Sequence, residues 1–175
     1  MALTCKRIVI TGGAGVLGQG VARAAQSQGA DVVLLDVVPG TTELVGNLIQ
    51  VDLADSASLH SCFTQIGDFD VLANIAGGFA MGPAVYETED ELWDAMFSIN
   101  VTTLRRVLNE AVPRLLARGR GSVINVGALG ALRGAPNMGA YLASKSVVMR
   151  LTESLSEEVK GCLLYTSPSP RDVST

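Results

Sequence analysis

The chain has 175 residues, of which 48% are apolar and 17% charged, so it suits one domain with a buried sheet and is too apolar for disorder. Its net charge of −4 offers no basic surface to nucleic acid or anionic lipid, and no apolar run reaches membrane-spanning length. A single histidine, His60, and the unpaired spacing of Cys5, Cys62 and Cys162 argue against a zinc site, and the lack of a signal-peptide core makes a reducing cytoplasmic setting the expectation.

Lys6 to Thr11 (KRIVIT) reads as a buried strand running into a glycine cluster. Val16 to Gln28 carries helix formers at apolar spacing, and Gly29 stops it. Asp31 to Asp36 (DVVLLD) is a second buried strand, Leu48 to Val51 a weaker third, and Asp70 to Asn74 a fourth. Glu89 to Ala117 is expected as one long helix, with Pro113 kinking it or marking its last turns. Gly121 to Val126 (GSVINV) is a fifth strand, and Ala140 to Lys160 a helix with Val147, Val148, Leu151 and Leu155 on one side. Strands alternate with helices and are near-continuous apolar runs, which predicts an α/β fold with a parallel sheet covered on both faces.

The chemistry begins at Thr11, Gly12, Gly15 and Gly18, a T-G-x-x-G-x-x-G turn between the first strand and the first helix. Such a turn brings backbone N–H groups and a helix N-terminus onto a pyrophosphate, although glycines also serve a turn of purely structural use. Asp36 ends the second strand, eighteen positions beyond Gly18. A carboxylate there accepts from both ribose hydroxyls of an adenosine and repels a 2′-phosphate. With Val37, Val38 and Pro39 following instead of Arg or Lys, NAD is the expected cofactor; the plainer reading is an Asp opening a turn before Pro39–Gly40. Asp52 either meets the adenine amino group or caps the helix from about Ser56. After the fourth strand, Asn74 to Gly78 (NIAGG) has the small residues that let backbone pass a flat ligand closely. Tyr141 and Lys145 lie four apart on a predicted helix and share a face. A nearby ammonium stabilises a phenolate, so the pair suits proton exchange with a substrate oxygen while hydride moves, though by itself such a pair is common on helix surfaces.

In order and at this spacing, TGGAGVLG, Asp36, Asp52, NIAG, the Asn100 of SINV and YLASK resemble the short-chain dehydrogenase/reductase superfamily over about residues 7–160. The resemblance implies a Rossmann-like, doubly wound parallel sheet, and an NAD(H)-dependent oxidoreductase acting on a small carbonyl, alcohol or imine. It assigns catalysis to Tyr141, Lys145 and Asn100, with Asn100 holding a helix distortion and a water of a proton relay. It assigns the cofactor to Gly12, Gly15, Val16, Leu17, Gly18, Asp36, Asp52, Leu53, Asn74, Ala76, Gly77, Tyr141 and Lys145, and implies no metal. It also implies a small-molecule substrate and a homodimeric or homotetrameric parent protein.

Two departures from the family pattern matter. The glycine spacing is not the commonest one and is similar to that of extended and divergent branches, which raises a sugar-nucleotide epimerase-like alternative. The family places a serine thirteen residues before the tyrosine; here that position is Ala128, which offers no hydroxyl. The AGG after the fourth strand and the segment from Gly127 to Tyr141 are similar to dihydropteridine reductase, which lacks that serine. Ala128 also permits a non-enzymatic NAD-binding or sensing protein.

The family continues with two further strands and a mobile substrate loop, so the sheet is expected to stop after about five strands. Residues 1–161 are then read as a truncated NAD-binding domain, and the fragment is expected to be inactive. From Cys162 to Asp172, CLLYTSPSPRD resembles a reading-frame translation of a widely used sequencing adapter, and residues 162–175 are expected to be an irregular, artefactual tail.

Overall fold

The structure is a computed structural model that describes residues 3–39 and 43–160, together with the backbone of Leu164–Tyr165. β1 (Arg7–Thr11), β2 (Asp31–Asp36), β3 (Asn47–Gln50), β4 (Val71–Asn74) and β5 (Ser122–Asn125) form a parallel sheet in the order β3-β2-β1-β4-β5. The chain crosses from β3 on one side to β4 on the other, so the topological switch lies between β1 and β4. In such sheets ligands bind outside the carboxyl ends of the strands at the switch. Thr11, Asn74 and Asn125 are in register there, with Asp36 ending β2 beside them.

Alternation along the strands divides the core in two. Val9, Val33, Leu35, Leu72 and Val123 meet Phe63, Phe69, Val107 and Leu115 on one face. Ile8, Ile10, Val32, Leu34 and Ala73 meet Ala22 and Ala25 of α1 (Val16–Ser27) on the other. α1 buries Gly18, Gln19, Ala22 and Ala25, a stripe of mostly small residues that brings it close to the sheet. Gly29, at φ +88°, ends that helix region as expected of a left-handed C-terminal glycine. Ile124 stands next to Ala73 in register on the α1 face, yet is 38% exposed. Among the described residues no helix is long and apolar enough to cross a membrane.

Three expectations need correction. Asp55, not Asp52, caps α2 (Ser56–Ile66): its carboxylate accepts from the Ala57 N–H at 3.0 Å. Asp52 turns its carboxylate to the Ala54 N–H at 2.8 Å, one turn too early for the cap. The long helix of residues 89–117 is really two, α3 (Asp90–Phe97) and α4 (Thr103–Ala117), joined by a π-helical turn at Ser98–Thr102. Pro113 stays inside α4 on its exposed side, where its missing N–H disturbs no buried contact. Finally, Leu164–Tyr165 pair parallel to Ser122–Val123 as β6, within the segment expected to be irregular. The rest of the expected tail, and Cys162, lie outside the described residues.

At the opposite end of the sheet Asp70 is a charge hub. Its Oδ2 accepts the Arg7 N–H at 3.0 Å, and its Oδ1 lies 3.6 Å from Lys6 Nζ, 3.6 Å from Arg118 Nη2 and 4.0 Å from Arg120 Nε. Burial raises the Asp70 pKa, but the Arg7 N–H and the three cations outweigh it and hold the carboxyl below its ordinary value. A depressed carboxylate stabilises the fold above its unfolded pKa of about 3.9, and that contribution fades as pH falls through the folded value. Asp70→Asn should therefore cost about 1–3 kcal/mol at neutral pH. Urea unfolding of both proteins should show the gap closing in acid; an equal gap at both pH values contradicts this account.

Candidate functional site

The glycine turn is shaped by what it touches. Gly12 has φ +65°, and a Cβ on it would lie 2.8 Å from the Ala76 backbone; one on Gly18 would lie 2.2 Å from the Gly12 carbonyl oxygen. Both glycines are thus required for the strand, the turn and the loop after β4 to meet. Thr11 fastens the same junction: its Oγ1 accepts from the Ile75 and Ala76 N–H groups, each at 3.2 Å. Gly15 precedes α1 with no side chain capping the helix, and Val16 behind it is 95% exposed. An uncapped first turn facing open space is a ready anion site.

Asp36 faces this turn. Its Oδ2 accepts the Ala14 N–H at 3.0 Å and its Oδ1 the Val37 N–H at 2.8 Å. From here a groove of about 580 Å³ runs past the turn to the loop after β4. Gly12, Gly15, Val16, Leu17, Gly18, Asp36, Asp52, Leu53, Ala76 and Gly77 all line it, together with Val37, Ile75, Ser98 and Ile99. Its size suits a dinucleotide: anion-ready amides stand at the turn and a carboxylate at the Asp36 end. Asn74 lies behind this surface. It shares a small cavity of about 10 Å³ with Thr11, Asn100, Asn125 and Lys145, and its Nδ2 donates to Asn125 Oδ1 at 2.8 Å. Asn125 Nδ2 in turn donates to Thr152 Oγ1 at 2.9 Å, so buried amides join β4, β5 and α5 (Gly139–Glu158).

Asn100 occupies the π turn, in which the Thr103 N–H reaches back to the Ser98 carbonyl. It is 2% exposed. Its Oδ1 accepts the Gly78 N–H at 2.9 Å, and its Nδ2 donates to the Gly78 carbonyl at 3.0 Å and to Ser144 Oγ at 3.1 Å. Ser144 donates to the Tyr141 carbonyl at 2.7 Å. Asn100 therefore clamps the loop after β4 to the helix that carries Tyr141 and Lys145. Lys145 is 7% exposed and donates to the Val126 carbonyl at 3.0 Å; burial pushes its ammonium pKa down.

The Tyr141 ring meets Phe79 edge to face, with centroids 4.9 Å apart. Phe79 follows directly on the clamped Gly78 and is largely exposed. Ala128 precedes a short 3₁₀ turn at Leu129–Leu132, which Ser146 Oγ holds to α5 through the Ala131 carbonyl at 3.1 Å. Sequence reasoning did not single out Phe79 or Ser144 as parts of the site. The position of Phe79 directly after NIAGG was the signal for that residue; Ser144, between Tyr141 and Lys145, carried none.

The family model described as short chain dehydrogenase matches residues 6–162. The chain is 32% identical over 161 residues to the short chain dehydrogenase adrF of Penicillium rubens, covering 87% of this chain and 63% of that protein. It is 29% identical over 168 residues to 2-(S)-hydroxypropyl-CoM dehydrogenase 3 of Xanthobacter autotrophicus, covering 88% of this chain and 66% of that protein. The ligand-free aldohexose dehydrogenase of Thermoplasma acidophilum shares the fold at a TM-score of 0.84 and 22% identity, over 96% of this chain and 69% of the other. The chain thus spans 63% and 66% of the two curated relatives' lengths.

Proposed function

Because the chain belongs to the short chain dehydrogenase family, we propose that it is the cofactor-binding part of an NAD(H)-dependent oxidoreductase acting on a small carbonyl, alcohol or imine. The observation that supports this most is Gly77, which lines the groove while a Cβ on it would fall 2.7 Å from Asn100 Oδ1 and 3.2 Å from Lys145 Nζ. The groove and the proton-handling residues thus share a wall. The first turn of α1 would hold the pyrophosphate and Asp36 the adenosine ribose hydroxyls, with Asp52 and Leu53 beside the adenine. A bound nicotinamide supplies the hydride chemistry.

The chain's own residues move the proton. Tyr141 exchanges it at the phenolic oxygen, and Lys145, fixed on the Val126 carbonyl, stabilises the phenolate. Asn100 keeps both on station through Ser144 and Gly78. With Ala128 at the position of the family's serine, the substrate oxygen receives no hydroxyl from there, which leaves Tyr141 as its donor. The same reading makes residues 1–161 part of a longer cytoplasmic homodimer or homotetramer and residues 162–175 a translated adapter. The exposed Ile124 on the α1 face supports further cover there.

The test is cofactor choice by the whole protein. NADH should bind at least about tenfold tighter than NADPH, because the Asp36 carboxylate, proposed to hold the ribose hydroxyls, would repel a 2′-phosphate there. Asp36→Ala combined with Val37→Arg should reverse the preference. Equal or tighter binding of NADPH by the unaltered protein contradicts the reading; NADH binding without turnover of any carbonyl favours a binding or sensing protein.

A further inference from the structure

We infer that Gln19 is a positioning residue for the adenosine end of the cofactor, an inference that rests on the dinucleotide reading above. Gln19 follows Gly18 in the first turn of α1 and is 5% exposed. A buried glutamine needs partners at both ends of its amide. Its Nε2 donates to the Gly13 carbonyl at 2.8 Å, and its Oε1 accepts the Val45 N–H at 2.9 Å. One side chain therefore ties the glycine turn to the chain that returns from β2 toward β3.

Both anchor points are closely packed. The Gly13 N–H bonds the Leu35 carbonyl at 3.3 Å, and a Cβ on Gly13 would lie 2.6 Å from Leu34 Cβ. Val45 packs against the α1-side core and precedes Gly46, whose φ is +108° and whose Cβ would lie 3.0 Å from Val32 Cγ1. The described residues on either side of 40–42 are each fastened to the turn: Asp36 to Ala14 where the chain leaves the sheet, and Val45, through Gln19, to Gly13 where it returns. Asp36 and Val37, at the first of these points, are groove residues. The Gln19 bridge fixes how far the wall carrying them stands from the turn that would take the pyrophosphate.

Gln19→Met in the whole protein keeps side-chain length and removes both bonds. The Kd for NADH and the inhibition constant of 5′-AMP should each rise about five- to tenfold, because an unfastened wall must be ordered on binding. The kcat should stay within about twofold, since Lys145 lies behind Gly77, on the wall of the groove formed by the loop after β4, and not at the turn that Gln19 bridges. Hydrogen exchange at the Val45 amide should accelerate while that at Val9 and Leu72 in the central strands does not. Unchanged affinities overturn the inference. So does a loss shared equally by reduced nicotinamide mononucleotide, which has no adenosine. Should Gln19→Met fail to fold, Gln19→Glu keeps the acceptor for Val45 and loses the Gly13 donor. It should keep Val45 protected yet weaken 5′-AMP, and parental 5′-AMP affinity in that variant also overturns the inference. If the unaltered protein binds neither NADH nor 5′-AMP, the dinucleotide reading fails and takes this one with it; if it binds both and the variants match it, this inference alone fails.

Discussion

Tyr141→Phe should lower turnover by roughly 10²–10⁴-fold, with NADH affinity kept within about twofold. The substitution isolates the hydroxyl because the ring is held separately. The edge-to-face contact with Phe79 survives in a phenylalanine, and the Tyr141 carbonyl still accepts from Ser144. Lys145 keeps its bond to the Val126 carbonyl. What disappears is the group proposed to exchange a proton with the substrate, and at Ala128 there is no hydroxyl to take its place. Steady-state rates and NADH titration of the two proteins decide the matter. A Tyr141→Phe protein that turns over at the parental rate would assign the proton to another group.

Asn100→Ala should be the most damaging single change at the site, costing about 3 kcal/mol or more of stability. It strips partners from the Gly78 N–H, the Gly78 carbonyl and Ser144 Oγ at once, in a place too buried for water to replace them all. It also frees the loop that carries Gly77 and Phe79. Asn100→Asp should fall between, since a carboxylate still accepts from the Gly78 N–H but donates to neither Gly78 nor Ser144. Denaturant unfolding of the three proteins ranks them. A loss below about 0.5 kcal/mol for Asn100→Ala, the scale of an ordinary surface change, would show that the clamp is not needed.

The strands around the switch were legible because parallel strands buried on both faces leave unbroken apolar runs, as in RIVIT and DVVLLD. The glycine turn and Asp36 were legible because backbone geometry restricts which residues fit, and a motif records that restriction. Residues that act by joining distant segments left no such trace. Gln19 reads as the polar face of an amphipathic helix until Val45, 26 positions away, is seen to bond it. Asp70 reads as the start of a strand until Lys6, from before β1, and Arg118 and Arg120, from the loop after α4, gather on it. The cap was legible in the spacing, since Asp55 stands immediately before Ser56 and Asp52 lies a turn too early. The break near Ser98 was legible only through the family resemblance, which implies a helix distortion at Asn100: by composition every residue from Asp90 to Ala117 except Pro113 tolerates a helix, and the buried contacts of Asn100 show where the ladder widens.

That widened turn binds the chemistry of the site to the counting of residues. Each residue advances an α-helix by about 100°, so one residue more or fewer between α3 and α4 would swing Val107, Ala111 and Leu115 around the axis by that angle. They would leave the cluster they share with Phe63 and Phe69 and face solvent. A deletion that made this stretch a regular helix would therefore cost the sheet its cover on that face, even with Asn100 itself untouched. Conversely, the phase that buries the core of α4 is the phase that turns Asn100 inward toward Gly78 and Ser144. The geometry of the candidate site and the packing of the core are thus set by one and the same count of residues.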